Sequence, residues 1–408
     1  MPTRRHRASI MSRSRTQSDH QPATHDLIVV GAGPAGLFAA SLAAEEGLDV
    51  LVLEEHEQIG FPTHCTGIVS DEANRLYKIP EEIVLSRPSS CLVISPSGSV
   101  AKLQDPGEEI AVLDREGFDR ALAASVVAAG GVLRTNCRVD HVKTTDRFVE
   151  VGTSHGERLR ARALVLGCGV TFRFHAILGS RLPSQILHTA QLEVGALPAD
   201  TLEVHVGRKV APEGFAWLVP FRRGDKHCLK AGLLLHGDAS EYLEMFLARP
   251  AIASRLLESP GEPIRRLLPV APVLKSYADR VIAVGDAAGL TKPVSGGGIF
   301  FSLLSAQFAA ETLIEALAVD DVSAARLSQY EARWRERLMP EIRIGRWFRD
   351  RLAGMSDQEW DSLVRALASD EIQSIIKRSA RFNWHSSPIL SMIKKPSISS
   401  ILFRSLFR

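Results

Sequence analysis

The sequence predicts an α/β fold: a parallel sheet suited to nucleotide binding, an antiparallel β insertion, and a helical C-terminal region. Three stretches predict it. Asp26 to Glu55 reads as strand, glycine turn, helix and strand. A second buried-strand signal, Arg280–Gly285, again runs into a glycine-containing turn at Asp286-Ala-Ala-Gly289. Between them, residues 188 to 235 alternate in the period-two manner of antiparallel strands.

The first stretch sets the rest. Leu27-Ile-Val-Val30 is a short apolar run that breaks at Gly31-Ala-Gly33-Pro34-Ala35-Gly36 and passes into an Ala-rich helical segment. Gly31 allows the sharp reversal, Gly33 lets main chain approach a pyrophosphate, and Gly36 lets the helix lie close to the strand. The free N–H groups of the helix start then face the phosphates with the helix dipole behind them. A second apolar strand, Val50–Leu53, ends on Glu54 and Glu55, with Glu54 the acid expected about 20 residues past the turn to accept from ribose hydroxyls. With Ala40 and Ala44 on the helix's sheet-facing side, this is a Rossmann-like dinucleotide fingerprint in its full context.

Composition sets outer limits. At 408 residues, with 45% apolar and 24% charged residues, the chain suits two or three structural units and an ordinary globular core. The richest apolar segment, Ile299 to Leu317, is interrupted by Ser302, Ser305, Gln307 and Glu311, so no membrane span is expected. Cys65, Cys91, Cys137, Cys168 and Cys228 form an odd, scattered set. They suggest a reducing, cytoplasmic setting and no metal site. Five arginines and no acid precede Asp19, and seven Lys or Arg with no acid follow Glu371. The rest of the chain is therefore acidic, and nucleic acid is not an expected partner.

Taken in order, residues 1–24 form a basic tail expected to be disordered, open to reading as a transit segment or a plain flexible end. The loop His56–Gly67 precedes a helix over Ser70–Leu76, and 83 to 113 reads as strands with turns at Ser95–Gly98 and Asp105–Gly107. A helix from Leu113 to Ala129 stops at Gly130-Gly131. Segments at 132–135, 138–143, 148–152 and 158–160 read as a β-meander leading into the strand Ala163–Leu166. Helix resumes near Ser240 and dominates from Gly298 to 380. The expected division is a discontinuous nucleotide-binding domain (25–82, 108–185, 270–320), a substrate domain (83–107, 186–269), and a helical region 321–408.

Five motifs, roughly within residues 25 to 320, resemble the geranylgeranyl reductase family of FAD-dependent oxidoreductases. They are GAGPAG at 31–36 with Glu54, THCTG at 63–67, DREGFDR at 114–120, GFAWLVP at 214–220, and GDAAGLTKPVSGGGI at 285–299. The resemblance implies a hydroxylase-like flavoprotein fold and FAD as cofactor. It implies an FAD site of Gly31, Gly33, Pro34, Ala35, Gly36, Glu54, Glu55, Cys65, Thr66, Arg115, Gly285, Asp286, Gly289, Gly296, Gly297, Gly298 and Ile299. In that reading Asp286 bonds ribityl or ribose hydroxyls, and the N–H-rich start at Gly296–Gly298 lies by the flavin ring. Arg115 lies near the diphosphate or ribose. Phe215 and Trp217, on one strand face, and Pro220 belong to the substrate side. Cys65 is the candidate catalytic residue, with an inert buried thiol as the alternative.

The implied reaction saturates C=C bonds of a geranylgeranyl or other polyprenyl lipid or diphosphate by hydride transfer from reduced flavin. Departures bear on it. Cys168 occupies the aspartate position of the hydroxylase Asp-Gly pair, and Thr66-Gly67 follows Cys65 where the family often has Gly-Glu. No second GxGxxG unit is present, so no dedicated NADPH domain is expected, and NADPH and a reduced carrier protein both stay open as electron donor. The rivals are a flavin monooxygenase or halogenase, and a non-catalytic prenyl-binding protein of related fold. The tail after Ser387 mixes Ile, Leu, Met and Phe with Lys394, Lys395, Arg404 and Arg408, which suits peripheral membrane contact or packing on the body.

Overall fold

The computed structural model describes residues 24–104, 109–180 and 182–404. The basic segment 1–23, the turn expected at 105–107 and Arg408 lie outside the described residues. In chain order the strands and helices begin with Thr24–Val30 (β1), Pro34–Glu45 (α1) and Val50–Leu53 (β2). Ile68–Ser70 (β3), Asp71–Leu76 (α2), Val84–Ser86 (β4), Ser90–Ile94 (β5), Val100–Gln104 (β6) and Ile110–Leu113 (β7) follow. Arg115–Ala128 (α3) leads to Val132–Arg134 (β8), Val139–Thr144 (β9), Val149–Thr153 (β10) and Arg158–Leu166 (β11). Next come Ile186–Gly195 (β12), Leu202–Val206 (β13), Phe215–Arg223 (β14), Lys226–Leu235 (β15), Ala239–Leu247 (α4), Pro250–Ala253 (α5) and Ile264–Pro269 (β16). Tyr277–Ala278 (β17) and Val281–Ala283 (β18) precede the helices Ile299–Ala318 (α6), Ala324–Ala353 (α7), Asp357–Leu367 (α8), Asp370–Ser379 (α9), Ser386–Ile393 (α10) and Pro396–Arg404 (α11).

The first sheet has the order β17-β18-β11-β1-β2-β8, with β9 and β10 extending from β11. Its central strands β11, β1 and β2 are parallel, and their apolar residues are buried, as strands covered on both faces must be. Segment 132–134 departs from the expected meander. It follows α3 as a crossover strand and pairs in parallel with β2, the arrangement a strand–helix–strand connection returns to, and as the edge strand it leaves Val132 exposed. The meander is β9-β10-β11, and β11 continues without a break into the apolar strand at 163–166.

The second sheet, β16-β12-β15-β14-β13-β5-β6, is antiparallel except where β13 runs parallel to β5. Strand alternation divides it into two faces. Ala216 and Leu218 of β14 join Ala190, Leu192 and Leu233 under Leu243 and Phe246 of α4. Phe215, Trp217 and Val219 point the other way, Trp217 and Val219 toward Val112 of β7 and Phe215 toward the C-terminal helices. A small third sheet, β3-β7-β4, joins the two.

Helix α6 is apolar nearly all round because it packs against α1, α2 and α7 in the core. By length and composition it could cross a membrane, yet 72% of its apolar window is buried inside the protein. Helix α7 is tied to the sheet by Tyr330, whose hydroxyl donates to the Ala283 carbonyl at 2.7 Å, and by Trp334, whose indole N–H donates to Ser276 at 3.0 Å. The C-terminal segment packs on the body: Ile398, Ile401 and Leu402 are buried with Trp360, Leu363 and Ile372 against Ala101 and Val206 of the second sheet. Asn383 clamps this region to α2, donating to Ser70 at 2.8 Å and Glu72 at 2.9 Å, and Trp384 donates to Glu72 at 2.8 Å.

The closest approach is made by glycines. A Cβ on Gly36 would stand 2.2 Å from the Gly31 carbonyl oxygen, and one on Gly167 would stand 2.9 Å from the Gly36 Cα. Gly36→Ala must therefore push α1 off the end of β1, costing at least the ~1–3 kcal/mol of ordinary overpacking. A Cβ on Gly33 meets nothing within 4 Å, so Gly33→Ala is the matched control. Urea midpoints of the two variants should separate clearly, with Gly33→Ala near the parent.

Candidate active site

The ends of β1, β2 and β11, the His56–Gly67 loop, the cavity-side face of the second sheet and the C-terminal helices surround one cavity of about 1100 Å³. Its first part is built by the glycine turn. Gly31 has φ +99°, a backbone geometry that favours glycine, while Gly33 opens to the cavity with room for a bulky group where a side chain would be. Proline at the first position of α1 is pre-organised for helix and removes no needed donor. The Glu54 carboxylate accepts from the Ala32 N–H at 2.8 Å and the His56 N–H at 3.0 Å, so it is held at the end of β2. Glu55 stands exposed at the cavity rim.

Opposite lies the second glycine loop. The Gly285–Ala288 turn follows β18 and sets Asp286 in the cavity wall. Burial pushes the Asp286 carboxyl up to about 6, with the Arg115 charge pulling the other way. Gly296, Gly297, Gly298 and Ile299 line the cavity at the start of α6. The buried Lys292 ammonium runs beneath that loop and donates to the Phe382 carbonyl at 3.2 Å and the Asn383 side chain at 3.1 Å.

Arg115, at the first turn of α3, is buried and bonds Asp119 at 2.8 and 3.1 Å. Burial works against its charge, but Asp119 and the Cys65 sulfur beside it outweigh that and raise its pKa. Cys65 and Thr66 line the same wall, the Cys65 sulfur accepting from the Gly67 N–H at 3.4 Å and Thr66 donating to Gln191 of β12 at 2.7 Å. His64 lines the cavity with its ring open to solvent there, and the protein crowded around the ring, then Arg115, lowers its imidazole pKa.

The far arm is apolar. Phe215 and Trp217 form its floor, and Val93, Leu103 and Val204 continue it across the sheet. Phe348, Leu363, Ile389 and Met392 of the C-terminal helices cover it. Gly232 lies opposite Trp217 on β15, and a Cβ there would stand 2.6 Å from the indole, so glycine makes room for that ring. Between the polar and apolar parts sits Lys230, fully buried, donating to the carbonyls of Thr66 at 3.0 Å and Leu113 at 2.9 Å. Burial lowers its pKa, with Glu193 at 3.8 Å opposing.

Four expected site residues do not line the cavity. Pro220 lies on the opposite strand face from Trp217, and its carbonyl accepts from Ser86 at 2.7 Å. Gly36 is spent on the contact with Gly31. Gly285 and Gly289, at φ +57° and +69°, serve close packing, Gly285 against Ser302 and Ala35 and Gly289 against the Ala271 carbonyl. The residues not singled out from sequence are Lys230, Lys292, Gln191 and the C-terminal residues Ile389 and Met392. Lys230 carries a signal, a lone charge inside the apolar run CLKAGLLL of β15. The tail residues carry none. Among the described residues, no group of three or more His, Cys, Asp or Glu is placed to hold a metal ion.

Residues 26–205 match the family model described as lycopene cyclase protein. The chain is 30% identical to digeranylgeranylglycerophospholipid reductase 1 of Methanococcoides burtonii, over 92% of this chain and 98% of the relative. It is 28% identical to digeranylgeranylglycerophospholipid reductase of Methanosarcina acetivorans, over 88% and 95%. Its fold is similar to a geranylgeranyl bacteriochlorophyll reductase-like protein from Thermoplasma acidophilum, with TM-score 0.80 and 22% identity over 95% of this chain and 99% of that one. It is also similar to the halogenase PltM in complex with phloroglucinol and FAD, with TM-score 0.70 and 14% identity over 94% and 93%, a likeness of fold alone.

Asp286 makes stability depend on pH. The native protein keeps this proton up to about pH 6, whereas the unfolded chain releases it near 3.8. Its contribution is therefore full below about pH 4 and falls as pH rises to about 6. In cofactor-free protein Asp286→Asn should match the parent near pH 4 and exceed it in urea midpoint above pH 6.

Proposed function

Because the chain belongs to the geranylgeranyl reductase family of FAD-dependent oxidoreductases, we propose that it holds FAD along the glycine turn and saturates C=C bonds of a polyprenyl chain. The observation that carries this reading is the continuity of one cavity, from an open glycine cradle at Gly33 to an arm walled by Phe215, Trp217, Val204 and Met392. A dinucleotide suits the first part and a long hydrocarbon the second. The residues fit FAD: an N–H-rich helix start with a vacant side-chain position, an acid at the end of β2, and a second glycine loop beside Asp286.

In this reading Gly33, Pro34 and Ala35 hold the diphosphate, Glu54 the ribose, and Gly296 to Ile299 the ring; Gly31, Glu55, Thr66, Arg115 and Asp286 complete the wall. FAD, when bound and reduced, supplies the hydride that an alkene needs. The chain's own work is positioning and drying. Phe215 and Trp217 fix the alkene, and the C-terminal helices exclude water from an unactivated double bond. Lys230 and Gln191 hold the loop that carries Cys65, which stands at the boundary of the polar and apolar parts. There its thiol can pass a proton to the second alkene carbon.

The relatives' names point to a glycerophospholipid bearing the prenyl chains, and a prenyl diphosphate shares the apolar part. Peripheral membrane contact belongs to the same reading: Leu390, Lys394 and Phe403 are exposed on the C-terminal helices, which suits an anionic lipid surface at a cytoplasmic face. The electron donor is NADPH or a reduced carrier protein.

The test is anaerobic: reduce the purified protein's flavin, add a geranylgeranyl lipid or diphosphate, and follow reoxidation with product mass. Reoxidation with a gain of two hydrogens per bond supports the reading; reoxidation by oxygen alone favours a monooxygenase. Gly33→Val should fold with the parent's urea midpoint but retain little flavin absorbance. Cys65→Ser should keep its flavin while reoxidation by alkene slows by about 100-fold or more, the usual scale of a lost acid–base group.

A further inference from the structure

The cavity-side face of the second sheet changes character from one edge to the other. At the β16 edge it carries Arg266, with Thr189 and Gln191 beside it on β12; at the β5–β6 edge it carries Val93 and Leu103. Seven strands at about 4.8 Å spacing span roughly 29 Å, about the length of an extended twenty-carbon prenyl chain with a headgroup. The polar edge also opens. A hollow of about 500 Å³ shares Val170, Thr189, Arg266 and Leu267 with the main cavity and wraps round the edge strand to take in Arg265 and His188.

Charge is left over at this edge. Arg173, Arg223 and Arg255 each have a carboxylate partner within 3.0 Å, whereas among the described residues neither Arg265 nor Arg266 is seen with one. Among the described residues the Arg266 guanidinium is seen to donate to the Arg265 carbonyl alone, at 3.1 Å. Asp238, the acid of the hollow, is occupied as the cap of α4, accepting from the Ser240 N–H at 2.9 Å. An amphiphile drawn into the apolar arm must leave its anionic end in a place that can neutralise it.

Resting on the reading of the cavity as a polyprenyl site, we propose that Arg266, assisted by Arg265 around the edge of β16, binds the phosphate-bearing headgroup of the substrate. The headgroup orients the chain so that it runs across the sheet beneath the C-terminal helices. Two sources share this chemistry, a prenyl diphosphate and a lipid phosphate, and the guanidinium fork suits either.

The experiment compares Arg266→Gln and Arg265→Gln/Arg266→Gln with the parent on photoreduced, flavin-loaded protein, using geranylgeranyl diphosphate, a geranylgeranyl glycerophospholipid and uncharged geranylgeraniol. Flavin content and unfolding midpoint report the fold. The expected result is a rise in half-saturating concentration of at least tenfold for a phosphate-bearing substrate, the scale of a lost charged hydrogen bond, with geranylgeraniol unchanged. Whichever phosphate-bearing substrate is affected identifies the source. Equal effects on charged and uncharged substrates, or none, overturn the headgroup assignment. Unchanged prenyl kinetics with weakened reduction by NADPH would overturn it too, giving the edge to the electron donor. If no prenyl compound reoxidises the parent flavin, the polyprenyl reading itself fails, which is a separate outcome.

Discussion

The contact of three glycine backbones, Gly31, Gly36 and Gly167, is the constraint on which the rest of the molecule depends. There the ends of β1 and β11 and the first turn of α1 meet at separations that no side chain could occupy. Because the helix start is pressed against the sheet, its free N–H groups are aimed across the strand ends into the cavity. Gly33, two residues along, turns instead to open space. Close packing on one side of the turn and vacancy on the other are produced by the same few residues.

The second organising feature is the alternation of β14. One face of the strand is consumed by α4, and the other supplies Phe215 and Trp217 to the cavity, with Gly232 on the neighbouring strand making room for the indole. Lys230 connects this sheet to the glycine-turn side of the molecule. A buried ammonium is costly unless its hydrogens are satisfied, and here it is held by the carbonyls of Thr66 and Leu113 and lies near Glu193. Those bonds link the loop that carries Cys65 to the sheet that carries Trp217, so the polar and apolar parts of the site share one anchor.

The C-terminal region shows how composition can point in two directions. A run rich in Ile, Leu, Met and Phe with interspersed Lys suits a membrane surface and suits a lid on the body equally well. In the folded protein Ile398, Ile401 and Leu402 cover the second sheet, and Ile389 and Met392 reach the cavity. The buried face of the segment is held by an apolar sheet surface that would otherwise be open to water and by the polar clamp of Asn383 and Trp384 on Glu72, while Leu390 and Phe403 stay exposed.

The local pattern of residues 26–55 was enough to read the strand–turn–helix unit and the position of Glu54, because glycine spacing, apolar runs and helix starts are near-neighbour physics. The two-sheet architecture was legible for the same reason, as period-two and buried-strand signals survive without knowledge of partners. What sequence alone did not separate was which glycines face a ligand and which face other backbone: Gly36, Gly285 and Gly289 look like Gly33 in a motif, yet only the packed neighbours distinguish them. Pro220 shares a motif with Trp217, yet three residues along a strand reverses the face. Gln191, Arg266 and Met392 meet at one cavity, with Lys230 buried behind the Cys65 loop, only because strands and helices distant in the chain are packed together. Sequence determined the elements and the chemistry of the turn; tertiary packing decided what each residue faces, since burial is a property of neighbours that the chain brings together only on folding.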